Sequence, residues 1–426
     1  DTLTDEGVDN ASCSLREAIV ASNDDAPYLG CDAGSGADII RFSVQGTIVL
    51  VEGLPFVRES FELSGPGAEN LTIDGDGQYR LFDVEELDAN GRFVFSGVTL
   101  TRGLANAGPA ISIQSGQTVE VRDAVLIDNI SSNGAGAISA NGNPGQPVSL
   151  TIERVALINN EAQGPSSGGA VRAGNSEVTV IVTDSLFQNN RASHENGSGG
   201  GMLLFGVSDT VTATIHNTTF SGNQASDSGG GLRLSSQATA TITDSTFTAN
   251  TANADDDGGD SGGGIGAGSG EVNITNTVVA GNFVGAGGTS PDVINNAFVS
   301  GGFNFIGDNT FTTGPFPEGN PNVNGDYVGT SSNPLDPGLL PLMDNGGFTA
   351  SHLPDATSSP LIDAGSCAGA RTDQRGFGNA TTGTRIVDDA GFTNADDGCD
   401  LGAVEAFSVF IATPFIFADG FETVTN

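Results

Sequence analysis

The chain has no tryptophan, no lysine, two methionines, three histidines and three tyrosines in 426 residues. Each shortage excludes something. Without lysine there is no lysine base for sugar chemistry, and without tryptophan few platforms remain on which a sugar ring could stack. No run of 18 or more apolar residues occurs, so no transmembrane helix is expected. Basic residues are few as well: 14 arginines face 52 acidic residues, for a net charge of −38. Such a chain repels nucleic acid and anionic membranes, and attracts divalent cations or cationic partners. The plainer reading of the charge is a soluble surface suited to salty or calcium-containing surroundings. Cysteine is limited to Cys13, Cys31, Cys367 and Cys399. These form two local pairs without Cys-x-x-Cys spacing, which reads as two disulfides of an exported protein rather than a metal site. Closed loops of about 20–30 residues would each contribute roughly 3–4 kcal/mol.

What the chain has is glycine, 63 residues of it, with 17 prolines and a mean hydropathy of −0.06. It is globular and long enough to bury a large, elongated core. The glycines belong to an internal repeat. One apolar ladder runs Phe95, Val121, Ile152, Val182, Ile215, Ile242, Ile274, and a second lies five residues later at Leu100, Leu126, Leu157, Phe187, Phe220, Phe247, Val279. Three residues further stand Gly103 and then Asn129, Asn160, Asn190, Asn223, Asn250 and Asn282. A Gly/Ala-rich approach leads to a third ladder at Ile111, Ile138, Val171, Met202, Leu232 and Ile265.

The first ladder alternates apolar and polar residues, as in Thr-Ala-Thr-Ile-His over 212–216, which is the period of a half-buried strand. Gly-Gly-Gly before Met202 and Leu232 suits a corner and would disrupt a helix. A single coil of three short strands cannot bury its inner face, so coils must stack about 4.8 Å apart. The recurrent asparagines then form an internal amide ladder. The fold class expected is all-β: a parallel β-helix, or β-solenoid, with a short N-terminal capping helix.

Four segments follow. Residues 1–38 form an N-terminal cap whose helix opens at Ser14, with Glu17 three residues on as a capping box. Residues 39–300 are solenoid coils. Residues 301–406, rich in proline and glycine, read as irregular final coils and a C-terminal cap. Residues 407–426 are an apolar, strand-prone tail interrupted by Pro414. That tail is expected either to fold back over the last coil or to add to a neighbouring subunit by β-augmentation, linking copies into a fibre. Asp1 is expected to be a mature N-terminus left after a signal peptide is removed.

Cys13-Ser-Leu-Arg-Glu-Ala-Ile19 resembles the CSLREA motif that opens exported bacterial right-handed β-helix proteins. Phe-x-x-Asn at 187–190, 220–223 and 247–250, with Gly-Gly-Ala-Val at 168–171, is similar to repeats of polymorphic outer-membrane protein passengers. Asp344-Asn-Gly-Gly347, Ser359-Pro-Leu-Ile-Asp-Ala-Gly365, Thr372-Asp-Gln-Arg-Gly376 and Cys399-Asp-Leu-Gly-Ala-Val-Glu405 resemble the choice-of-anchor region that ends such proteins. Asp419-Gly-Phe-Glu422 is similar to a short terminal motif of exported bacterial proteins. The resemblance implies a right-handed parallel β-helix, secreted or displayed on the outer surface of a bacterium. It implies little about chemistry, because a fold does not give a function.

Chemistry is sparse. Gly-His-Gly and Asn-Thr-Asp motifs of the polygalacturonase kind are absent. His194, His216 and His352 are scattered, and an ordinary surface role suits each better than catalysis. Glycan hydrolysis needs two carboxyl groups across a cleft, and lyases need a base with a cation beside it. The nearest grouping is Arg191, His194 and Glu195, with Arg172 one coil earlier. Asp255, Asp256, Asp257 and Asp260 offer hard oxygen ligands for Ca²⁺, without EF-hand spacing, and a solvated acidic loop is the better explanation of them. Asp396, Asp397 and Asp400 form a smaller acidic group. Thr212-Ala-Thr214 and Thr239-Ala-Thr241 suggest an ice-binding face in short, irregular rows. The leading reading is a non-catalytic structural or adhesive protein that requires no cofactor and meets a glycan or cell-surface ligand. A polysaccharide lyase or hydrolase, and a fibre subunit joined through its tail, are the alternatives.

Overall fold

A computed structural model describes residues 2–5, 7, 12–85, 91–256, 262–285, 291–367, 370–379 and 382–406, together with the backbone strand at 409–410. It is an all-β parallel solenoid with one short helix at its start, Leu15–Asn23. Each regular coil visits four strand positions, one more than the three ladders suggest. The first face stacks Arg92–Ser96, the opening half of Thr118–Ile127, the opening half of Val148–Ile158, Val178–Thr183, Val211–His216, Ala238–Thr243 and Glu271–Thr275 in parallel. The second face carries Leu186–Gln188, Thr219–Ser221 and Thr246–Thr248. The additional element is a two-residue strand just after each ladder asparagine, seven deep from Leu104–Ala105 to Phe283–Val284. It escapes the pattern because two residues show no periodicity. The third ladder forms an eight-stranded stack from Phe82–Val84 to Val293–Ile294.

Two left-handed residues per coil make the corners. Asp123, Asp184, Asn217, Asp244 and Asn276 take φ of 47–50° between the first and second faces. Asp and Asn tolerate this region better than most residues. Asp128, Asn159 and Asn189 do the same, at 54–56°, immediately before the ladder asparagine. The glycine runs answer a different constraint: a Cβ on Gly200 would lie 2.3 Å from the carbonyl oxygen of Gly230 and 2.5 Å from the backbone of Gln224 in the next coil. No side chain fits there. All three apolar ladders are buried, and Phe187, Phe220 and Phe247 stack face to face at 4.3 and 4.5 Å with planes 9° and 6° apart.

The asparagines form a continuous buried chain. Asn223 Nδ2 donates forward to Asn250 Oδ1 at 2.8 Å and back to the Phe187 carbonyl at 2.9 Å. Its Oδ1 accepts both the backbone N–H and the Nδ2 of Asn190, at 3.0 and 2.9 Å. The pattern holds from Asn129, whose Oδ1 accepts the Gly103 N–H, to Asn282. The last rung is not an amide: Asn282 donates its N–H and Nδ2 to Asp292 Oδ1 at 2.9 and 2.8 Å. An acceptor-only group suits the end of a ladder in which each rung must receive two donors from the one before. A second ladder at the first corner uses hydroxyls, with Thr218 N donating to Ser245 Oγ, Ser245 N to Thr277 Oγ1 and Thr277 N to Asn304 Oδ1. It too ends on a carboxylate, Asp326.

Both solenoid ends are closed. At the start, Ser14 and Glu17 make the reciprocal capping box, while Leu15 and Ile19 plug the core. Arg16 grips Asp5 through Nε and Nη2 at 2.9 and 2.7 Å, and the carbonyls of Gly53 and Glu52. Cys13 and Cys31 are disulfide-bonded. At the far end Phe316 is fully buried against Phe298. The region after it does not continue the stack. The described residues of 336–406 turn back and lie against the outer side of the second face, from Asp184 to Val278, over outward positions that the alternation would leave in water: Leu186, Thr219, Thr246 and Val278. The backbone at Val409–Phe410 pairs antiparallel with Phe377–Gly378 of that same docked module. The rest of the expected tail lies outside the described residues.

Replacing Asn223 with alanine strands the Asn190 donors and the Phe187 carbonyl in the core. A loss of about 1–3 kcal/mol is expected, read as a shift of the denaturant midpoint, and an unchanged midpoint would contradict the ladder.

Candidate functional site

The densest group of ionisable side chains sits in the seam between solenoid and module. Arg385, fully buried, is its centre. Nε donates to Glu405 Oε1 at 2.7 Å; Nη1 pairs with Asp244 Oδ1 at 3.0 Å and donates to Asn217 Oδ1 at 3.3 Å; Nη2 reaches the carbonyls of Gly402 and Asp400. Asp244 and Asn217 are corner residues of the solenoid, whereas Glu405 and Gly402 belong to the module, so one guanidinium fastens the two bodies. Beside it Asp373 accepts from Arg375 Nε and Nη2 and from the Glu405 N–H. Asn276 donates to Asp244 and to the Asp400 carbonyl, and Thr219 Oγ1 donates to Gln374 Oε1 at 2.5 Å. The Cys367–Cys399 disulfide closes the module next to this cluster.

One arginine serves two carboxylates, and the charges divide accordingly. Burial opposes ionisation of Asp244, but Arg385 and His216 outweigh it and hold the group below its ordinary range. Glu405 is pushed well up by burial, against Arg385 and with Asp400 adding repulsion. Burial raises Asp400 to about 6 and Asp184 to about 6, the latter against an amide bond from Asn217. Asp292, at the end of the asparagine ladder, rises to about 7 through burial despite the N–H donors of Asn282 and Asp308.

The grouping Arg172, Arg191, His194 and Glu195 is not drawn together. No hydrogen bond or ion pair joins any two of these four. Arg172 lies over the Phe205 ring at 4.2 Å and donates to the Ser166 carbonyl and Asn141 Oδ1, with burial lowering its pKa to about 10. Arg191 is exposed on the two-residue ribbon; His194 Nδ1 accepts from the Asn196 N–H, and Glu195 Oε1 from the Asn196 amide. Of the acidic corner, Asp255 and Asp256 are exposed, whereas Asp257 and Asp260 lie outside the described residues. In the smaller acidic group, Asp397 caps the N–H groups of Cys367 and Cys399, and Asp400 accepts those of Asp363 and Ala406.

One arrangement was not legible beforehand. His352 Nδ1 donates to the Leu340 carbonyl at 2.7 Å, which leaves Nε2 free to accept from Ser221 Oγ at 2.9 Å. Burial lowers the His352 pKa, against the bond to the Leu340 carbonyl, and so favours the neutral ring. This is the tautomer a serine–base pair requires, but Ser221 is 6% exposed and lies in the docking seam among the other solenoid–module bonds. The 131 residues between the two partners hide the pairing in the sequence.

A cavity of about 340 Å³ lies between the capping helix and strand Asp38–Arg41, lined by Leu15, Ala18 and the Cys13–Cys31 bridge. Comparison with protein-family models, with curated proteins and with solved structures finds no match. What defines the class is therefore the architecture: a parallel β-solenoid repeat protein, helix-capped and disulfide-stapled, with a C-terminal module docked on its flank.

Asp292, Asp184 and Asp400 have folded pKa values above the ordinary carboxylate value. The native state therefore holds protons that the unfolded chain releases, and stability is highest below about pH 4 for these groups and declines as pH rises through about 6–7. Asp244 and His352 are shifted downward and act in the opposite sense on acidification. Glu405, also raised by burial, adds to those three, and Asp244 is protected until lower pH, so a higher unfolding free energy is expected near pH 5 than near pH 8, by on the order of a few kcal/mol. Asp292→Asn should flatten that slope; an unaltered pH profile would show that the ladder's last rung does not titrate.

Proposed function

We propose that this chain is an exported, surface-exposed structural or adhesive rod that presents its corner loops without catalysing a reaction. The observation that carries the reading is the employment of the motif residues. In the opening motif Ser14 and Glu17 cap the helix, Leu15 and Ile19 fill the core, and Arg16 clamps Asp5. In the closing motifs Asp373, Gln374 and Arg375, with Cys399, Asp400 and Glu405, bind the module to itself and to the coils. Side chains suited to chemistry are thus engaged in fastening, and the resemblance to CSLREA and choice-of-anchor proteins is consistent with a displayed scaffold. Two disulfides favour an oxidising compartment, and among the described residues no helix is long and apolar enough to cross a membrane. The −38 charge suits a ligand that is cationic or bridged by divalent ions such as Ca²⁺ at the acidic corner 255–260.

Two measurements test this. The purified chain, incubated with polyuronates and neutral glycans, should release neither unsaturated nor reducing products, while bead-immobilised chain should retain bacterial cells or extracellular glycan. Product release that Arg172→Ala or His194→Ala abolishes would replace the reading with a polysaccharide-active enzyme, and failure to retain any cell or glycan would remove the adhesive half. Independently, Cys367→Ser with Cys399→Ser should weaken docking by roughly 3–4 kcal/mol on the loop-entropy estimate, so that limited proteolysis removes residues 336–406 before it attacks the coils.

A further inference from the structure

The outer side of the first face carries a feature that neither the docking seam nor the scaffold reading uses. Strand pairing sets Ser149, Thr179, Thr212 and Thr239 in one row across four coils. Thr151, Ile181, Thr214 and Thr241 form the next row. Glu153, Thr183, His216 and Thr243 form the third. The short Thr-Ala-Thr segments of the sequence are therefore parts of one grid, assembled by coil register and invisible to a reading along the chain.

Three properties set this grid apart. It is uncharged apart from His216 and Glu153 at one corner, although the chain carries 66 charged residues, and its borders are charged: Arg122 in the coil before pairs with Glu120 and Glu153, and Glu271 follows it. Its hydroxyls are largely unclaimed by protein: Thr212 Oγ1 lies 3.4 Å from Thr179 Oγ1, while those of Thr214, Thr239 and Thr241 have no hydrogen-bond partner among the described residues. Finally, it is stiff and evenly spaced. Threonine is restricted at χ1, outward neighbours on a strand stand about 6.7 Å apart, and paired strands of successive coils repeat about every 4.7–4.9 Å. That repeat is close to the separation of second-neighbour oxygens in hexagonal ice. Long charged side chains would scatter the water above them, whereas fixed methyl and hydroxyl groups at this repeat hold it in a lattice.

We propose that this face binds ice: water ordered on the threonine grid joins the surface of a growing crystal and adsorbs the protein to it. The occupant is a water lattice rather than a glycan or a second copy, because the match is to a repeat and not to a shape or a charge. The test is ice-affinity partitioning of the full chain, with observation of crystal shape during slow growth. The wild type should enrich in the ice fraction and facet the crystals. Thr214→Lys with Thr241→Lys, both outward-facing, should lose the enrichment at an unchanged unfolding midpoint, while Gln224→Lys on the exposed two-residue ribbon should retain it. Ile181→Thr completes the middle row and should increase enrichment, which keeps the test open should the lysine variant misfold. A wild type that remains in the liquid, a lysine variant that partitions as before, or an Ile181→Thr variant that partitions less, would each overturn the proposal, and so would grid variants that alter only glycan retention or self-association.

Discussion

Every polar group inside this solenoid must be answered by the coil above or below it. The asparagine carboxamide meets that demand in both directions, giving one N–H forward and one back while its oxygen receives two donors. A coil shifted by one residue would break all four bonds and turn the apolar ladders outward. Register therefore follows from the ladder, and nearly everything else follows from register: the face-to-face phenylalanine stack, the passage of the glycine runs against the neighbouring ribbon, and the alignment of outward side chains into rows.

A stack of this kind has no intrinsic length, so its ends need chemistry of their own. The first rung is a glycine N–H and the last a carboxylate, and both suit a chain of amides with one direction. The apolar column is closed by Leu15 and Ile19 at one end and Phe316 at the other. Burying Asp292 to end the asparagine ladder leaves an acid in the core, which links the stability of the last coils to pH. The same physics recurs in the seam, where Arg385 compensates some of the buried negative charge and leaves Glu405 and Asp400 raised. Removing one partner of such a group is far more damaging than its presence is stabilising.

The docked module alters what the outer surface can do. By covering the second face from Leu186 to Val278 it leaves the first face as the broad, regular, sparsely charged surface of the central coils. A rod with one flank occupied and one flank flat is suited to lying along another surface, whether cell wall, glycan or crystal.

Much of the fold was determined by the sequence alone, because its determinants repeat. The ladders at Val182, Ile215 and Ile242, the asparagines three residues after Phe187, Phe220 and Phe247, and the capping box at Ser14 and Glu17 are local signals that need no partner to be recognised. The tertiary structure decided what depends on distant residues meeting. The two-residue ribbon was too short to carry a period. The module's place on the flank rests on Arg385 finding Asp244 and on Gln374 finding Thr219, contacts that bridge more than 140 residues and leave no pattern behind. Leu186 and Val278 were the nearest hints, apolar at positions where alternation expects a polar residue. The threonine grid belongs to the same category: each row is spread over four coils of unequal length, and only stacking brings it to one face.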